Sequence, residues 1–471
     1  MVRTLVALLS GEALTRSAML VAALIAVRVL APTAFGAYAY AVALASIVNF
    51  VIDLGISSLV TRDVAGSAQR APTLLGAFLK AQAVLAVATF TLAAGVIATG
   101  ELSGPASISA LVLALGAVSV SSMARPWEAT LTGLGRAGLL TVARAVRGVV
   151  LLIATVIAAV LWPTPEALLG AMVVSETAGA LTVGLVCSLF VVRPALRAPS
   201  RHLTRLLRAA IPFALLAGFN VLYLRVDTLM LGWLDTEVAV GNYGVASRIV
   251  ETALVLPAFF GTAFLATVGH TGARTQRARV QTAGALRNVM LLSLPFAIGL
   301  AYSATPLVRL LAGPDYESAG RVLALLCPMI VWVASYGVLA NLQVALDHVS
   351  LLVRINVFGV LAKVALNVVV IPRHGITGAA VVAVAVEGVI VVLQWWISRD
   401  CFDVGALLGF LARIGVAGAL MGATAVGLGT LVPWPVSLAG SAAVFALAAV
   451  ALRCVNLDEM RLAQGALRGA P

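Results

Sequence analysis

The sequence predicts an all-α membrane protein of about fourteen transmembrane helices, arranged as two six-helix lobes followed by two additional helices. Three observations carry that expectation. Only 11% of the 471 residues are charged and the mean hydropathy is +1.08, whereas a water-soluble domain carries about 25% charged residues. Apolar runs recur along the whole chain, and a spanning helix needs about 20 such residues. Arginines gather in every second connection between those runs, the asymmetry that orients membrane helices.

The first helix is expected over about 5–30. Arg3 before it and Ala37-Tyr38-Ala39 after it mimic a cleavable leader. Glu12 and Arg16 interrupt the apolar run, which continues to Leu30, so it reads as a membrane helix. Ala31-Pro32 turns the chain into a second helix over 38–60, and Arg62 and Arg70 precede a third over 75–99. Ser103-Gly104-Pro105 leads into a fourth over 105–124. Arg125 and Arg136 fall in the connection to a fifth over 140–161, and Trp162-Pro163-Thr164-Pro165 precedes a sixth over 167–190. Such Gly and Pro clusters punctuate helices. The next connection, 191–208, is the most basic, with Arg193, Arg197, Arg201, Arg205 and Arg208. Helices seven and eight follow over 209–233 and 243–268; Arg274, Arg277 and Arg279 precede a ninth over 286–303. Gly313-Pro314-Asp315 turns the chain into a tenth over 319–346. Arg354 opens the eleventh over 351–371, the twelfth covers 376–398, and Arg399 precedes the thirteenth over 408–431. Val432-Pro433-Trp434-Pro435 separates it from the fourteenth over 434–452, and Arg453, Arg461 and Arg468 follow. The intervening connections hold only Arg309, Arg321 and Arg373, with Glu101, Glu166, Asp235, Glu237, Asp315 and Glu317. This alternation predicts a plasma-membrane protein with both termini cytoplasmic.

The chain divides into a six-helix lobe over 1–190, a basic cytoplasmic linker over 191–208, a second lobe over 209–398, and two helices with a tail over 399–471. The pattern restarts in the second lobe. Phe35-Gly36-Ala37-Tyr38-Ala39-Tyr40-Ala41 opens the second helix and Val240-Gly241-Asn242-Tyr243-Gly244-Val245-Ala246 the eighth. Both read apolar-Gly-x-Tyr-x-x-Ala at the same ordinal place in each half. Even-numbered repeats of this kind are parallel, related by an axis along the membrane normal, and face one another across a cavity.

The net charge of +12 is almost wholly arginine; Lys80 and Lys363 are the two lysines. Because those arginines lie between apolar runs, they are topogenic and give no nucleic-acid surface. Cys187, Cys327, Cys401 and Cys454 lack ligand spacing, as do His202, His270, His348 and His374, so neither a disulfide framework nor a metal site is expected. Without a Gly-rich nucleotide loop or a nucleophile elbow, the sequence implies no cofactor, no ATP-driven step and no enzyme.

Ionisable groups inside membrane helices are costly and mark function by default. Arg16, Arg225, Arg248 and Lys363 are the candidate cavity cations, and Asp53, Asp227, Glu251 and Glu387 the candidate acidic network or coupling groups, with Glu176 also intramembrane. A rise of about 1.5 Å per residue puts Arg225 roughly 24 Å from the inner end of its helix. Arg248 and Glu251, roughly 8–12 Å from an outer end, share that outer half; Arg16, Lys363 and Glu387 fall near mid-depth. Arg248 and Glu251 share a face at i,i+3, whereas Arg225 and Asp227 at i,i+2 do not. Lys363 either pairs with Glu387 or remains a cation in the cavity. For all of these, interhelical ion pairing is the structural alternative, at even weight or better for Asp53, Glu176 and Glu387. Arg28, Arg144 and Arg147 lie near helix ends and can snorkel to head groups. Pro257, Pro295 and Pro328 fall within the expected helices, where proline can kink the backbone or provide a hinge; each reads first as a packing residue.

Leu30-Ala31-Pro32-Thr33-Ala34-Phe35-Gly36-Ala37-Tyr38 with Asp53-Leu54-Gly55 resembles the opening of polysaccharide flippases of the multidrug/oligosaccharidyl-lipid/polysaccharide (MOP) exporter superfamily. Leu224-Arg225-Val226-Asp227-Thr228-Leu229-Met230-Leu231-Gly232, Val240-Gly241-Asn242-Tyr243 and Arg248-Ile249-Val250-Glu251 are similar to that family's seventh and eighth helices. Asn367 through Ala380, including Ile371-Pro372-Arg373-His374-Gly375, resembles its eleventh–twelfth join. The resemblance implies a MATE-like fold and an undecaprenyl-diphosphate-linked oligosaccharide as substrate. That substrate would be carried from the cytoplasmic to the outer leaflet, in the lipid bilayer, with glycan-assembly proteins as partners. Two other functions compete. A cation-coupled drug exporter of the same superfamily would call for an acid-dominated cavity. A membrane glycan polymerase or glycosyltransferase would call for an outer domain larger than 304–318.

Overall fold

The computed structural model describes residues 2–53, 55–98, 104–195, 221–254, 276–346 and 348–454. Every regular element among them is helical. Ten of the described helices are long and apolar enough to cross a membrane. Much of the expected seventh and eighth helices, 209–220 and 255–268, lies outside the described residues, as does Pro257.

Helix α1 spans Val2–Val29 and α2 Pro32–Asp53. The expected second helix ends early: Gly55 takes a left-handed φ of 71°, and a separate α3 runs over Ile56–Gly66. Helix α4 covers Ala71–Ala98. Ser107 then caps α5, accepting from the Ala110 amide, and α5 continues over Ile108–Gly133, past the expected end at 124. The connection assigned to Arg125 is therefore helix. The loss of an amide at Pro126 does not stop it; α5 ends instead at Gly135, whose φ is 69°. There the Arg136 amide donates to Leu131 and the Gly135 amide to Thr132, the paired closure of a Schellman end. Helices α6 (Ala137–Leu161) and α7 (Pro165–Phe190) follow, α7 with Thr164 as its cap and Pro165 in its first turn, where proline's missing amide costs nothing.

Helix α8 is described over 221–234 and α9 over Glu237–Ala253. Helix α10 (Gln276–Leu311) runs unbroken through Pro295 and Pro306. The expected tenth helix is two: α11 (Glu317–Leu326) and α12 (Pro328–Ala345), with Pro328 starting the second instead of kinking one helix. Helix α13 spans Val349–Ile397 and contains the expected eleventh and twelfth helices, joined at Gly375 with φ 54° and ψ −140°. A side chain there would also meet the Asp235 carboxylate at 2.9 Å. Helices α14 (Val404–Gly429) and α15 (Trp434–Ala451) pack on each other and complete the fold.

The described residues fall into two compact units, Met1–Val245 with Leu311–Tyr316 and Asn356–Ala379, and Ala246–Leu310 with Glu317–Ile355 and Ala380–Pro471. In the first, α1 packs on α6, and α5 on α7 and α2. Its core includes Ile56, Phe78 and Leu131. The Tyr40 ring is fully buried between Gly104 and Gly232, where a methyl group on either would overlap it. The segment Leu311–Tyr316 packs there too: the Tyr316 hydroxyl donates to the Leu30 carbonyl at 2.9 Å, and its ring meets Phe35 edge-on at 6.1 Å. Burial raises the Tyr316 hydroxyl pKa well above its usual range. The second unit is built on Leu286, Val338, Phe410, Met421 and Phe445. Val160, Leu431 and Leu447, more than 70% exposed, present the apolar outer surface a bilayer requires.

The repeat read from the sequence has a geometric counterpart. A Cβ at Gly36 would lie 2.1 Å from the Glu237 carbonyl oxygen, and one at Gly241 would lie 2.1 Å from that of Pro32. Each motif glycine thus faces the carbonyl four residues before the other, a reciprocal contact of α2 with α9. A second echo lies within the separate units. Trp127 of α5 stacks over Gly184 of α7 with its indole 3.6 Å from the site of a Cβ. Trp332 of α12 does so over Gly388 of α13 at 3.5 Å.

Candidate functional site

The most deeply buried charges meet at Asp227. Helix α8 presents Asp227, α9 presents Tyr243, and α13 presents Lys363 and Asn367, which share one face at i,i+4. The Lys363 ammonium lies 2.7 Å from Asp227 Oδ2, with the two side chains 2% and 5% exposed. Asn367 Nδ2 donates to Asp227 Oδ1 at 2.8 Å and the Tyr243 hydroxyl to Oδ2 at 3.2 Å. The ammonium also donates to the Tyr223 carbonyl at 3.3 Å and lies 4.1 Å from the centre of that residue's ring. A carboxylate held by three donors and an ammonium held by a carboxylate, a carbonyl and a π face are each well compensated, as buried charges must be.

Three other acids of the first unit pair with arginine across helices. Arg125 reaches Asp53 at 3.3 Å, and the Ser57 hydroxyl donates to the same Asp53 oxygen. Arg147 lies 3.3 Å from Glu176 and Arg144 lies 3.6 Å from Glu128. Arg144 and Arg147 thus link α6 to α5 and α7 in place of the expected snorkelling. Within the second unit, Arg248 and Glu251 form the expected i,i+3 pair at 3.5 Å, and Glu387 is buried at 4% exposure. Arg225 is half-buried. Arg16 lies in α1, but its side chain falls outside the described residues. Lys363 was expected to pair with Glu387 or to remain a cation in the cavity; its carboxylate is instead Asp227. Asp227 also meets the eighth expected helix through Tyr243.

Asn367, Tyr223 and Arg125 were absent from the candidates. Asn367 is neutral, so a search for charges passes over it, yet it stands one turn from Lys363. Arg125 was missed because it was assigned to a cytoplasmic connection as a topogenic charge. Among the described residues no cluster of acidic, histidine and cysteine side chains could hold a metal, and the four cysteines are free.

Residues 25–321 match the family model described as "Polysaccharide biosynthesis protein". The chain belongs to that family. It is 22% identical over 267 residues to the probable low-salt glycan biosynthesis flippase Agl15 of Haloferax volcanii, and the match spans 52% of this chain and 56% of that relative, about half the length of each. The lipid II flippase MurJ in an inward closed conformation superposes with a TM-score of 0.77 at 13% identity, covering 95% of this chain and 98% of that one. A multidrug resistance MATE family transporter of the MOP superfamily, in its inward-facing conformation, gives a TM-score of 0.69 at 14% identity, covering 83% and 95%. This polysaccharide biosynthesis protein therefore has the fold of MOP-superfamily transporters and is a multi-pass membrane protein.

Proposed function

We propose that the protein flips an undecaprenyl-diphosphate-linked oligosaccharide, an O-antigen, capsule or exopolysaccharide unit, from the cytoplasmic to the outer leaflet of the plasma membrane by alternating access. The single observation that carries this function is membership of the polysaccharide biosynthesis family over residues 25–321, joined to a transporter fold. The physical chemistry agrees with it. A diphosphate needs cations held away from bulk water, and arginine supplies a planar fork that grips it with two bonds. Arg225 is our first candidate for that grip, and Arg16 and Arg248 are the next candidates. Lys363 is already engaged by Asp227. Both termini are cytoplasmic, the lobes are the two six-helix repeats, and glycan-assembly proteins are the partners that feed and drain the cycle.

Lipid extracts of a deletion strain test this. Loss of the protein should leave a lipid-linked glycan in the cytoplasmic leaflet and remove the corresponding surface polysaccharide. Unchanged surface glycan together with new sensitivity to cationic drugs would replace the flippase with a drug exporter.

A further inference from the structure

A buried carboxylate in a membrane protein needs a counter-charge, and in a transporter that charge can be a mobile ion from either side. At Asp227 the counter-charge is covalently part of the chain. We propose that the Lys363 ammonium is a built-in monovalent cation, filling an oxygen-lined site at Asp227 that would otherwise draw an alkali or small ammonium ion from solution. The node then needs neither Na+ nor K+ from outside. This holds whatever cargo the protein carries.

The surroundings of the ammonium are those of a cation site. Asp227 Oδ2 lies at 2.7 Å, the Tyr223 carbonyl oxygen at 3.3 Å and the Tyr223 ring centre at 4.1 Å. Asn367 is fully buried, and its Oδ1 accepts no hydrogen bond from any described residue. The node therefore has an acceptor to spare beyond those the ammonium uses. Two of the four residues come from α8 and two from α13, so the site is assembled by helix packing, as is its cation. Lysine suits this place because its ammonium is a compact point charge on a long apolar stem. Truncating that stem would leave a space faced by the Asp227 carboxylate and the Tyr223 carbonyl.

Thermal unfolding of the purified full-length protein, in choline, sodium, potassium or ethylammonium chloride at equal ionic strength, tests the proposal. Wild type should unfold at the same temperature in all four. Lys363→Ala should unfold earlier than wild type in choline and recover, saturably, with ethylammonium or an alkali cation, because a ligand that binds only the folded state stabilises it by mass action. The double variant Asp227→Asn with Lys363→Ala has no charge to compensate and should be indifferent to all four salts. Wild type that is saturably stabilised by sodium or potassium, with the effect lost in Asp227→Asn, would overturn the proposal. So would Lys363→Ala that answers to acid alone, because the node would then take a proton in place of a cation. Should Lys363→Ala fail to accumulate, the double variant decides: recovery of its membrane abundance supports the counter-cation role, and continued absence overturns it.

Discussion

The guanidinium of Arg225 and the carboxylate of Asp227 stand two residues apart on α8, and their surroundings diverge. Asp227 is saturated by Lys363, Asn367 and Tyr243, while Arg225 keeps part of its side chain exposed. Arg225→Lys should accordingly lower glycan export while membrane abundance stays near normal, because lysine keeps the charge and loses the two-bond fork. Export and abundance measured on the same cultures check this; loss of both together would make Arg225 a packing residue. At Asp227 the opposite order is expected. Asp227→Ala strands a buried ammonium, at a cost of about 3–5 kcal/mol, so abundance should fall before any transport defect can be read. Tyr243→Phe removes one of three donors and should cost about 1 kcal/mol, seen as a modest drop in melting temperature. The ionisable members of this node were legible in the sequence because charge inside a spanning run is rare. Their partnership was not. Counting rise per residue from assumed helix ends put Asp227 in the outer half and Lys363 at mid-depth, and the packing of α8 against α13 that brings them to 2.7 Å leaves no mark in a single sequence.

At the scale of helices, Gly36 and Gly241 decide how closely α2 and α9 approach. With the Glu237 and Pro32 carbonyl oxygens each 2.1 Å from where a Cβ would sit, even a methyl group must push the backbones apart. Small residues are what let membrane helices pack this closely. Gly36→Ala and Gly241→Ala should each reduce melting temperature or export by a clear margin. Gly138→Ala, at a helical glycine with open space around it, should be nearly neutral or slightly stabilising through helix propensity. Equal behaviour of the three variants would mean that the crossing carries no energetic weight. The repeat that contains these glycines was visible as a short pattern, because both halves must present a small residue at the same place. Helix ends were less visible. The fourth helix was expected to end at 124, before Arg125, where α5 continues through Pro126, while Gly55 ended α2 within one apolar run. Proline removes one backbone bond, which neighbouring turns can absorb. Glycine offers a left-handed φ, and which glycine uses it is set by packing beyond its neighbours in sequence.

At the scale of the whole molecule, charge and repetition make the same demand on topology. Trp127, on the part of α5 beyond the expected end of the fourth helix, lies over Gly184 of the sixth, and Trp332 of the fourth helix of the second half lies over Gly388 of its sixth. Two parallel repeats of this kind require an even number of spans between corresponding points. The arginine alternation independently assigns Arg136 to a cytoplasmic connection and Asp235 to an outer one. These two positions can be compared directly in a background with Cys187, Cys327, Cys401 and Cys454 replaced by serine. A single cysteine at Asp235 should react with a membrane-impermeant thiol reagent in intact cells. A single cysteine at Arg136, which is exposed in the folded protein, should react only after the cells are opened. Between Arg136 and Asp235 the proposed topology counts three spans: α6, α7 and the helix that ends in α8. An odd number puts the two positions on opposite sides. Labelling of both from outside would mean an even number, and with it the six-helix repeat would have to be redrawn, because the motif at Val240 would no longer open on the same side of the membrane as the motif at Phe35.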